Sequence, residues 1–298
     1  MCCTLATARL SNTILYAGEA SRTEGTVHVL GYQNTVQDLS RIDRKARTPS
    51  KDWDYKKPFG SGGSGNAMIL PFPAIPGSMG RENVLSTKQC PNILRDMAAA
   101  LKPDPNTFFA GVRLSRSAVA KRVEIFEHDI YEIVLATNAD LIPGVIHQVS
   151  ENKRPPINTE VFNAYAELYR DWGMALCCFD NKDAKVAAPL LWWYLPMYPE
   201  LLFAPGLDAH TGSAPDLGAD VKVDHTVVVS SNRMHGGDQV HYTDLEMHGD
   251  TRSLLPSRIV GRRLNGTMQN GDFVCHLDDV DNGKFAPKRL LPPGVPRA

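Results

Sequence analysis

Short strand-type segments separated by turn residues occupy both ends of this chain, and the helical patterns are grouped between them. Runs of β-branched and aromatic residues bounded by Gly, Asn, Asp and Pro favour strands. The sequence lacks the regular alternation of strand and helix that a doubly wound parallel sheet requires. The pattern therefore predicts an α+β fold, with a mostly antiparallel β-sheet and a few helices packed on it.

The length of 298 residues and the hydrophobic content of 43% are sufficient for a sizeable core. We expect one α+β domain over residues 1–283, with a mobile insertion at about 42–65 that is rich in charged residues, Ser and Gly. Residues 284–298 contain four basic residues, no acidic residue and four prolines. This composition predicts a Pro-rich basic tail that is extended or disordered.

The first part of the chain predicts a three-stranded antiparallel meander, and after the insertion a strand over Ala67–Leu70 that ends where the prolines begin. Apolar residues at helical spacing predict a helix that starts near Pro91 and a second helix over Thr159–Trp172. The predicted meander strands are Cys3–Leu10, Thr13–Ala17 and Thr26–Tyr32. The strands predicted after Gly173 are Met174–Phe179, Ala188–Leu195, Leu201–Phe203, Thr226–Ser230, Val240–Leu245 and Phe273–His276.

The charge balance and the apolar segments limit the partners that we expect. Lys and Arg total 32 against 33 Asp and Glu, so the net charge of -1 provides no field for nucleic acid. The longest mostly apolar stretch, 187–205, is interrupted by prolines and predicts no membrane span. The first residues lack a signal-peptide pattern, so we expect a cytoplasmic protein with reduced cysteines, among which Cys177 and Cys178 belong to the core.

Cys2 directly follows Met1 and precedes a predicted strand. If Met1 is removed, the α-amine of Cys2 can act as the base for its own thiol. In this respect the chain resembles the N-terminal-nucleophile cysteine hydrolases, which begin Met-Cys, continue into a strand and cleave amide bonds after Met removal. The resemblance implies a cysteine amide hydrolase that acts on a small-molecule or peptide-like substrate. Two other interpretations of Cys2 and Cys3 are the start of an edge strand and a lipidation site.

Histidines are concentrated in the C-terminal third, where six of the nine lie after residue 205. Asp208 and His210 share one face of a predicted strand, and Asp224 precedes His225. Imidazole and carboxylate groups are ligands for zinc or iron, so Asp208, His210 and His225 are the candidate metal ligands. His210 or His225, the latter oriented by Asp224, could equally serve Cys2 as a general acid or base. His235 and His248 are interpreted as exposed loop residues.

Three classes of function therefore remain open. The first is a cysteine amide hydrolase with Cys2, His210, His225 and Asp224 as its catalytic residues. The second is a metal-binding or metal-dependent protein that uses the histidine cluster, and the third is a non-enzymatic binding or structural protein. The sequence does not identify a cofactor or an oligomeric state, and the Gly60–Gly65 run lacks the Lys-Ser or Lys-Thr of a phosphate-binding loop. Nucleotide binding is not predicted.

Overall fold

The chain has an α+β fold in which antiparallel sheets dominate. A computed structural model describes residues 3–5, 9–37, 65–102, 111–112, 121–183, 188–209, 212–244 and 246–290. Among these residues there are three sheets and five short α-helices. No helix in the described ranges has the length and apolar character needed to cross a membrane.

The seven-stranded sheet has the strand order β13-β14-β12-β2-β3-β10-β5. All of its pairings are antiparallel except that between β12 and β2, which is parallel. Its strands are β2 (Arg9–Arg22), β3 (Gly25–Gln37), β5 (Val84–Leu85), β10 (Leu190–Tyr194), β12 (Asp220–Ser230), β13 (Asp238–Gln239) and β14 (Arg258–Gln269).

The other two sheets are smaller. The five-stranded sheet has the order β1-β4-β9-β8-β7, and the four-stranded sheet has the order β11-β15-β16-β6. Their strands are β1 (Cys3–Thr4), β4 (Gly65–Phe72), β6 (Gly111–Val112), β7 (Val123–His128), β8 (Tyr131–Ala136), β9 (Gly173–Asp180), β11 (Leu201–Ala204), β15 (Phe273–His276) and β16 (Lys288–Leu290). The helices are α1 (Ile93–Ala100), α2 (Ile142–Val145), α3 (Thr159–Leu168), α4 (Gly249–Ser253) and α5 (Leu277–Asp281).

Apolar side chains form three packed layers. The central core lies between the five-stranded and seven-stranded sheets and includes Leu70, Cys177 and Trp192. A second core lies between the other face of the five-stranded sheet, helix α3 and the four-stranded sheet. A third core lies between helix α1 and the outer face of the seven-stranded sheet, where Trp193 packs. Trp192 and Trp193 face opposite sides of the sheet, because side chains alternate along a strand. Both large sheets have buried apolar side chains on both faces.

The predicted meander is wrong in its first strand. β1 contains only Cys3 and Thr4, and it pairs with β4 in the five-stranded sheet rather than with β2. The β2–β3 hairpin itself is longer than predicted, because the polar residues 18–25 continue both strands and form the turn. The predicted break at Ser11–Asn12 is a β-bulge, in which Asn12 has a φ of 53°.

Several predicted boundaries also differ from the structure. β4 continues through Pro71 to Phe72. In the described chain β1 pairs with β4 only at Met68 and Ile69, so Pro71 has a neighbouring strand on one side only. A proline is tolerated there because no second strand needs its missing N–H. Residues 240–244 do not form a strand. β14 was not predicted, because its sequence is largely polar and its buried residues, Ile259, Val260 and Leu264, do not show the alternation that marks a strand.

The two predicted helices are confirmed. α1 begins two residues after Pro91 and buries Ile93, Leu94 and Met97. α3 begins at Thr159 but ends at Leu168, and its cap is Asn158, whose side chain accepts a hydrogen bond from Glu160 N–H at 3.0 Å. The predicted insertion lies outside the described residues up to position 64, while Gly65 begins β4. Within the predicted tail, Lys288–Leu290 forms β16 and pairs with β15.

Candidate functional site

Cys2 and His210 lie outside the described residues, but the chain next to each of them is defined. Leu5, three residues after Cys2, donates its backbone N–H to the carbonyl of Ala67 at 3.3 Å. Gly212, two residues after His210, packs so closely on Leu5 that a Cβ at position 212 would lie 2.7 Å from the Leu5 carbonyl oxygen. The backbone at Gly212 has a φ of 72°, which favours glycine. The described chain therefore makes a contact at positions that are three residues after Cys2 and two residues after His210 in the sequence.

The backbone at Gly212 is also held from helix α3. The side-chain amide of Asn158, which caps this helix, donates a hydrogen bond to the Gly212 carbonyl at 3.0 Å. The same side chain accepts the Glu160 N–H, so its oxygen and nitrogen are both engaged. The position of the segment after His210 is thus fixed by the helix cap as well as by Leu5.

His225 lies in the middle of β12, between Thr13 of β2 and Leu264 of β14. Its side chain is fully buried, and its ring centroid lies 6.4 Å from that of Phe273. The predicted strand begins at Thr226, directly after His225, whereas β12 begins at Asp220, five residues before the histidine. A buried ring at this position is not accessible to a substrate from solvent.

Asp224 lies on the opposite, more exposed face of β12, as the alternation of a strand requires. Its Oδ1 is 3.6 Å from Nδ1 of His225, which is longer than a hydrogen bond. Its Oδ2 accepts the backbone N–H of Asn12 at 3.0 Å and so satisfies a donor of the β2 bulge. The carboxylate therefore joins β12 to β2 beside the imidazole.

The strand that was predicted to contain Asp208 does not form. Residues 205–208 have no regular secondary structure, and Ala209 forms only an isolated bridge. The backbone of Asp208 is held by Asn270, whose side chain accepts the Asp208 N–H at 2.7 Å and donates to the Asp208 carbonyl at 2.8 Å. Asn270 was missed by the sequence analysis, although an Asn-Gly-Asp sequence is typical of a turn.

Asp272 completes the support of this loop and was also missed. Its carboxylate accepts hydrogen bonds from the Tyr169 hydroxyl at 2.5 Å and from the N–H groups of Gly206 and Leu207 at 2.8 and 2.9 Å. Burial raises the pKa of Asp272, and these hydrogen bonds oppose the increase. We name Asn270 and Asp272 together the loop clamp, because they hold the segment that leads to His210.

The loop clamp is enclosed by Arg289 of β16. Its guanidinium stacks over the ring of Phe273 at 4.2 Å and donates to the carbonyl of Gly271. Burial lowers the pKa of Arg289 to about 10, although the nearby Asp272 acts in the opposite direction. The β16 strand therefore contributes a positive charge beside the buried carboxylate, which a disordered tail would not supply.

The metal-site prediction rests on His210 and therefore remains a prediction. Within the described ranges, no group of three or more His, Cys, Asp or Glu side chains is arranged to hold a metal ion. Neither His225 nor Asp208 is therefore part of a three-residue metal site within the described residues. His235 and His248 are exposed, as the sequence analysis expected.

The cysteines whose side chains are described are all buried and form no disulfide, namely Cys90, Cys177, Cys178 and Cys275. Burial raises the pKa of Cys90 to about 11 and that of Cys275 to about 12. The pKa of Cys178 is raised further for the same reason. The thiols of Cys90, Cys178 and Cys275 therefore stay protonated at neutral pH and lack the properties of a nucleophile.

A groove lies at the end of the five-stranded sheet where β4 ends. Its floor is mainly apolar and includes Ala74, Met79 and Leu135. At its rim, Glu124 accepts a hydrogen bond from Arg81 at 2.6 Å and lies 3.7 Å from Arg122. None of the residues predicted for the site lines this groove.

Comparisons with known proteins give little similarity. No family model and no curated protein matches the sequence. The chain is similar to the crystal structure of a mutated baculovirus P35 after caspase cleavage, with 11% sequence identity, a TM-score of 0.40 and 95% of both chains covered. A TM-score of this size does not establish a shared fold.

Proposed function

We propose that this protein is a cysteine amide hydrolase of the N-terminal-nucleophile type, with Cys2 as the nucleophile once Met1 is removed. The α-amine takes the proton of the Cys2 thiol, and the sulfur forms a bond to the substrate carbonyl carbon. The C–N bond then breaks as the leaving nitrogen takes a proton. Water hydrolyses the thioester, which releases the acid and restores the thiol.

The observation that carries the proposal is the contact between Leu5 and Gly212. It joins a segment three residues from Cys2 to a segment two residues from His210, although the two are separated by most of the chain. The contact itself is between Leu5 and Gly212, and it supports a proposal in which the nucleophile precedes Leu5 and the general acid precedes Gly212. The loop clamp and Asn158 fix the backbone on the His210 side.

The state of the other thiols supports the choice of Cys2. Cys90, Cys177, Cys178 and Cys275 are buried, which leaves Cys2 and its neighbour Cys3 as the thiols that can be reactive. None of these four forms a disulfide, and this agrees with a reducing compartment, so we propose a cytoplasmic location. The substrate is proposed to be a small amide or a peptide-like molecule.

The two histidines have different proposed roles. His210 is the general acid that protonates the leaving nitrogen. His225 is buried, so with Asp224 it acts as a positioning residue that orders the β12 and β2 strands next to the site. This division assigns proton transfer to one histidine and structural support to the other.

Thiol labelling tests the nucleophile without knowledge of the substrate. The intact mass of the purified protein shows whether Met1 has been removed, and brief treatment with iodoacetamide followed by peptide mapping gives the labelling rate of each cysteine. We expect Cys2 to react far faster than the buried thiols. A retained Met1, or labelling of Cys2 no faster than that of Cys177, would contradict the mechanism and favour a non-enzymatic or metal-binding protein.

Activity assays with matched variants test the catalytic step. A panel of aminoacyl p-nitroanilides serves as amide substrates, and we expect turnover by the native protein. Cys2→Ser should reduce kcat by orders of magnitude, because the hydroxyl is a poorer nucleophile. Cys3→Ser is the matched control and should retain kcat. An equal effect of the two substitutions would overturn the assignment of Cys2.

A further inference from the structure

One edge of the seven-stranded sheet is open along most of β14. This strand pairs with β12 without a break over residues 260–269, whereas β13 pairs with its other side only at Arg258 and Ile259. No other strand in the described part of the chain lies beyond β14. Residues 265–267 are exposed. An edge of this kind presents backbone groups with which a further strand can pair.

The direction of the backbone groups in β14 follows from the hydrogen bonds at its two ends. On the β12 side, the Asn270 N–H donates to the Ala219 carbonyl at 2.9 Å. On the β13 side, the Ser257 carbonyl accepts the Val240 N–H at 3.0 Å. Because successive residues of a strand in an antiparallel ladder point their backbone groups to opposite sides, the even-numbered residues of β14 face β12. The odd-numbered residues within 261–269 face outwards and form what we name the open edge.

The open edge lacks the features that usually prevent strands from pairing. Natural sheets protect an edge with charged residues, proline or a β-bulge. Residues 264–269, Leu-Asn-Gly-Thr-Met-Gln, include no charged residue and no proline, and the pairing with β12 continues here without a bulge. The side chain of Arg263, which precedes this segment, donates to the Ala98 carbonyl in the last turn of helix α1 at 3.3 Å. This edge is therefore able to accept another strand.

We propose that the open edge binds the open edge of a second copy of this chain, in an antiparallel pair with two-fold symmetry. Asn265 is the midpoint of residues 261–269, so an axis at Asn265 uses the whole edge. This register places Arg263 of one copy opposite Thr267 of the other. It also places Leu264 opposite Gly266. No two cations face each other, whereas an axis at Arg263 would place this arginine opposite itself, which is destabilising.

The side chains of this segment are complementary to themselves in the proposed register. A Cβ on Gly266 would meet no atom within 4 Å, so there is space beside this residue for Leu264 of the second copy. On the other face, the two Asn265 side chains meet at the axis, and each amide can both donate and accept a hydrogen bond. A strand from a different protein would need only the backbone groups. The self-complementary sequence therefore favours a second copy, and a two-fold contact of this kind closes as a dimer.

Sedimentation velocity of the full chain over a range of concentrations tests the proposal. We expect a reversible equilibrium between monomer and dimer. Thr267→Pro removes an outward N–H, and the fold should be retained because proline is tolerated on a strand edge. Since two hydrogen bonds are lost by symmetry, the dimer Kd should rise about tenfold. Thr267→Ala keeps the N–H and is the matched control, with an unchanged Kd. Far-UV circular dichroism verifies the fold of each variant.

Charge variants test the register and do not depend on how the strand accommodates proline. Asn265→Lys places two like charges at the axis, while within each copy the new lysine faces Asp224 of β12. The dimer Kd should rise by roughly threefold or more at low ionic strength, and the effect should decrease as salt screens the charges. Thr267→Glu places a carboxylate opposite Arg263 of the second copy, so it should lower the Kd.

The possible outcomes separate this surface from others. A chain that remains monomeric at every concentration would overturn the proposal and leave the open edge to a strand of a different protein. A dimer that neither Thr267→Pro nor Asn265→Lys weakens would also overturn it, because another surface would then join the copies. Equal weakening by Thr267→Ala and Thr267→Pro would contradict the pairing of backbone groups. Weakening by Thr267→Pro and Asn265→Lys, with Thr267→Ala unchanged, would support it.

Discussion

At the scale of single residues, His28 is an imidazole that the fold keeps away from water. It lies on β3, with its ring edge-on to Tyr194 of β10 at 5.8 Å. Burial lowers the pKa of His28 from 6.5 to about 4, and the nearby backbone of Pro199 offsets part of this effect. Between these two pH values the unfolded chain binds a proton that the folded chain does not. Folding stability therefore falls as the pH decreases through this window.

The pH dependence of unfolding tests the protonation of His28. The shift in its pKa corresponds to a loss of ~3 kcal/mol between pH 6.5 and pH 4. We expect His28→Leu to remove this part of the slope in urea unfolding curves. His248→Leu, a substitution at an exposed ring, is the matched control. A slope that is unchanged in His28→Leu would show that another group causes the acid sensitivity.

The loop clamp gives a second prediction for single residues. Asp272→Ala leaves the Gly206 and Leu207 N–H groups and the Tyr169 hydroxyl without their acceptor. Removal of one partner of a buried charged network costs about 3–5 kcal/mol, and we expect a loss of this size in the free energy of unfolding. Tyr169→Phe removes only one of these bonds and should cost clearly less. Equal losses in the two variants would contradict this account.

At the scale of secondary-structure elements, helix α3 is an anchor for the five-stranded sheet. Phe162 is fully buried in the second core, whereas Leu168 at the end of the helix is only half-buried. We expect Phe162→Ala to destabilise the protein by about 3–5 kcal/mol in chemical denaturation and Leu168→Ala to cost less. Glu167→Ala on the exposed face should remain within ~0.5 kcal/mol of the native protein. A larger loss for Leu168→Ala would mean that the buried face is wrong.

The elements that could be predicted are those with strong periodicity or strong apolar content. Helix α3 and the strands β9 and β10 have such patterns, and each was predicted close to its observed position. In β14 only Ile259, Val260 and Leu264 are buried, and they do not alternate with exposed residues, so its sequence contains no strand pattern to detect. The pairing of β1 with β4 was missed because a two-residue strand is determined by its partner rather than by its own sequence.

The candidate site was predictable only in part, for a related reason. Asp224 and His225 are adjacent in sequence, so their proximity was known, but the burial of His225 depends on β2 and Phe273, which are distant in sequence. Asn270 and Asp272 act on a loop more than sixty residues earlier. No local pattern identifies such a contact, because hydrogen bonds to backbone groups do not require a particular residue in the partner loop.

At the scale of the whole molecule, the seven-stranded sheet combines the two ends of the chain. Its central hairpin, β2–β3, lies between β12 on one side and β10 on the other. The five-stranded sheet, in contrast, is formed entirely from residues 3–180 in the described chain. The hairpin therefore cannot complete its hydrogen bonds or bury both faces until the C-terminal half is present.

This topology predicts a single cooperative unfolding transition. Far-UV circular dichroism and tryptophan fluorescence should give coincident urea curves, because Trp172, Trp192 and Trp193 report on three different cores within one folded unit. Expression of residues 1–183 alone should yield a chain without a cooperative transition. Two separated transitions in the full chain would indicate independent folding of the five-stranded sheet.

The adjacent cysteines in β9 have a practical consequence. Cys177 faces the central core, and Cys178 faces the core beneath helix α3. Each of these two thiols becomes accessible to a reagent only when the core that surrounds it is exposed to solvent. The two thiols therefore report separately on the exposure of two different cores. The order in which they are modified under mild denaturation would show which interface loosens first, without any introduced label.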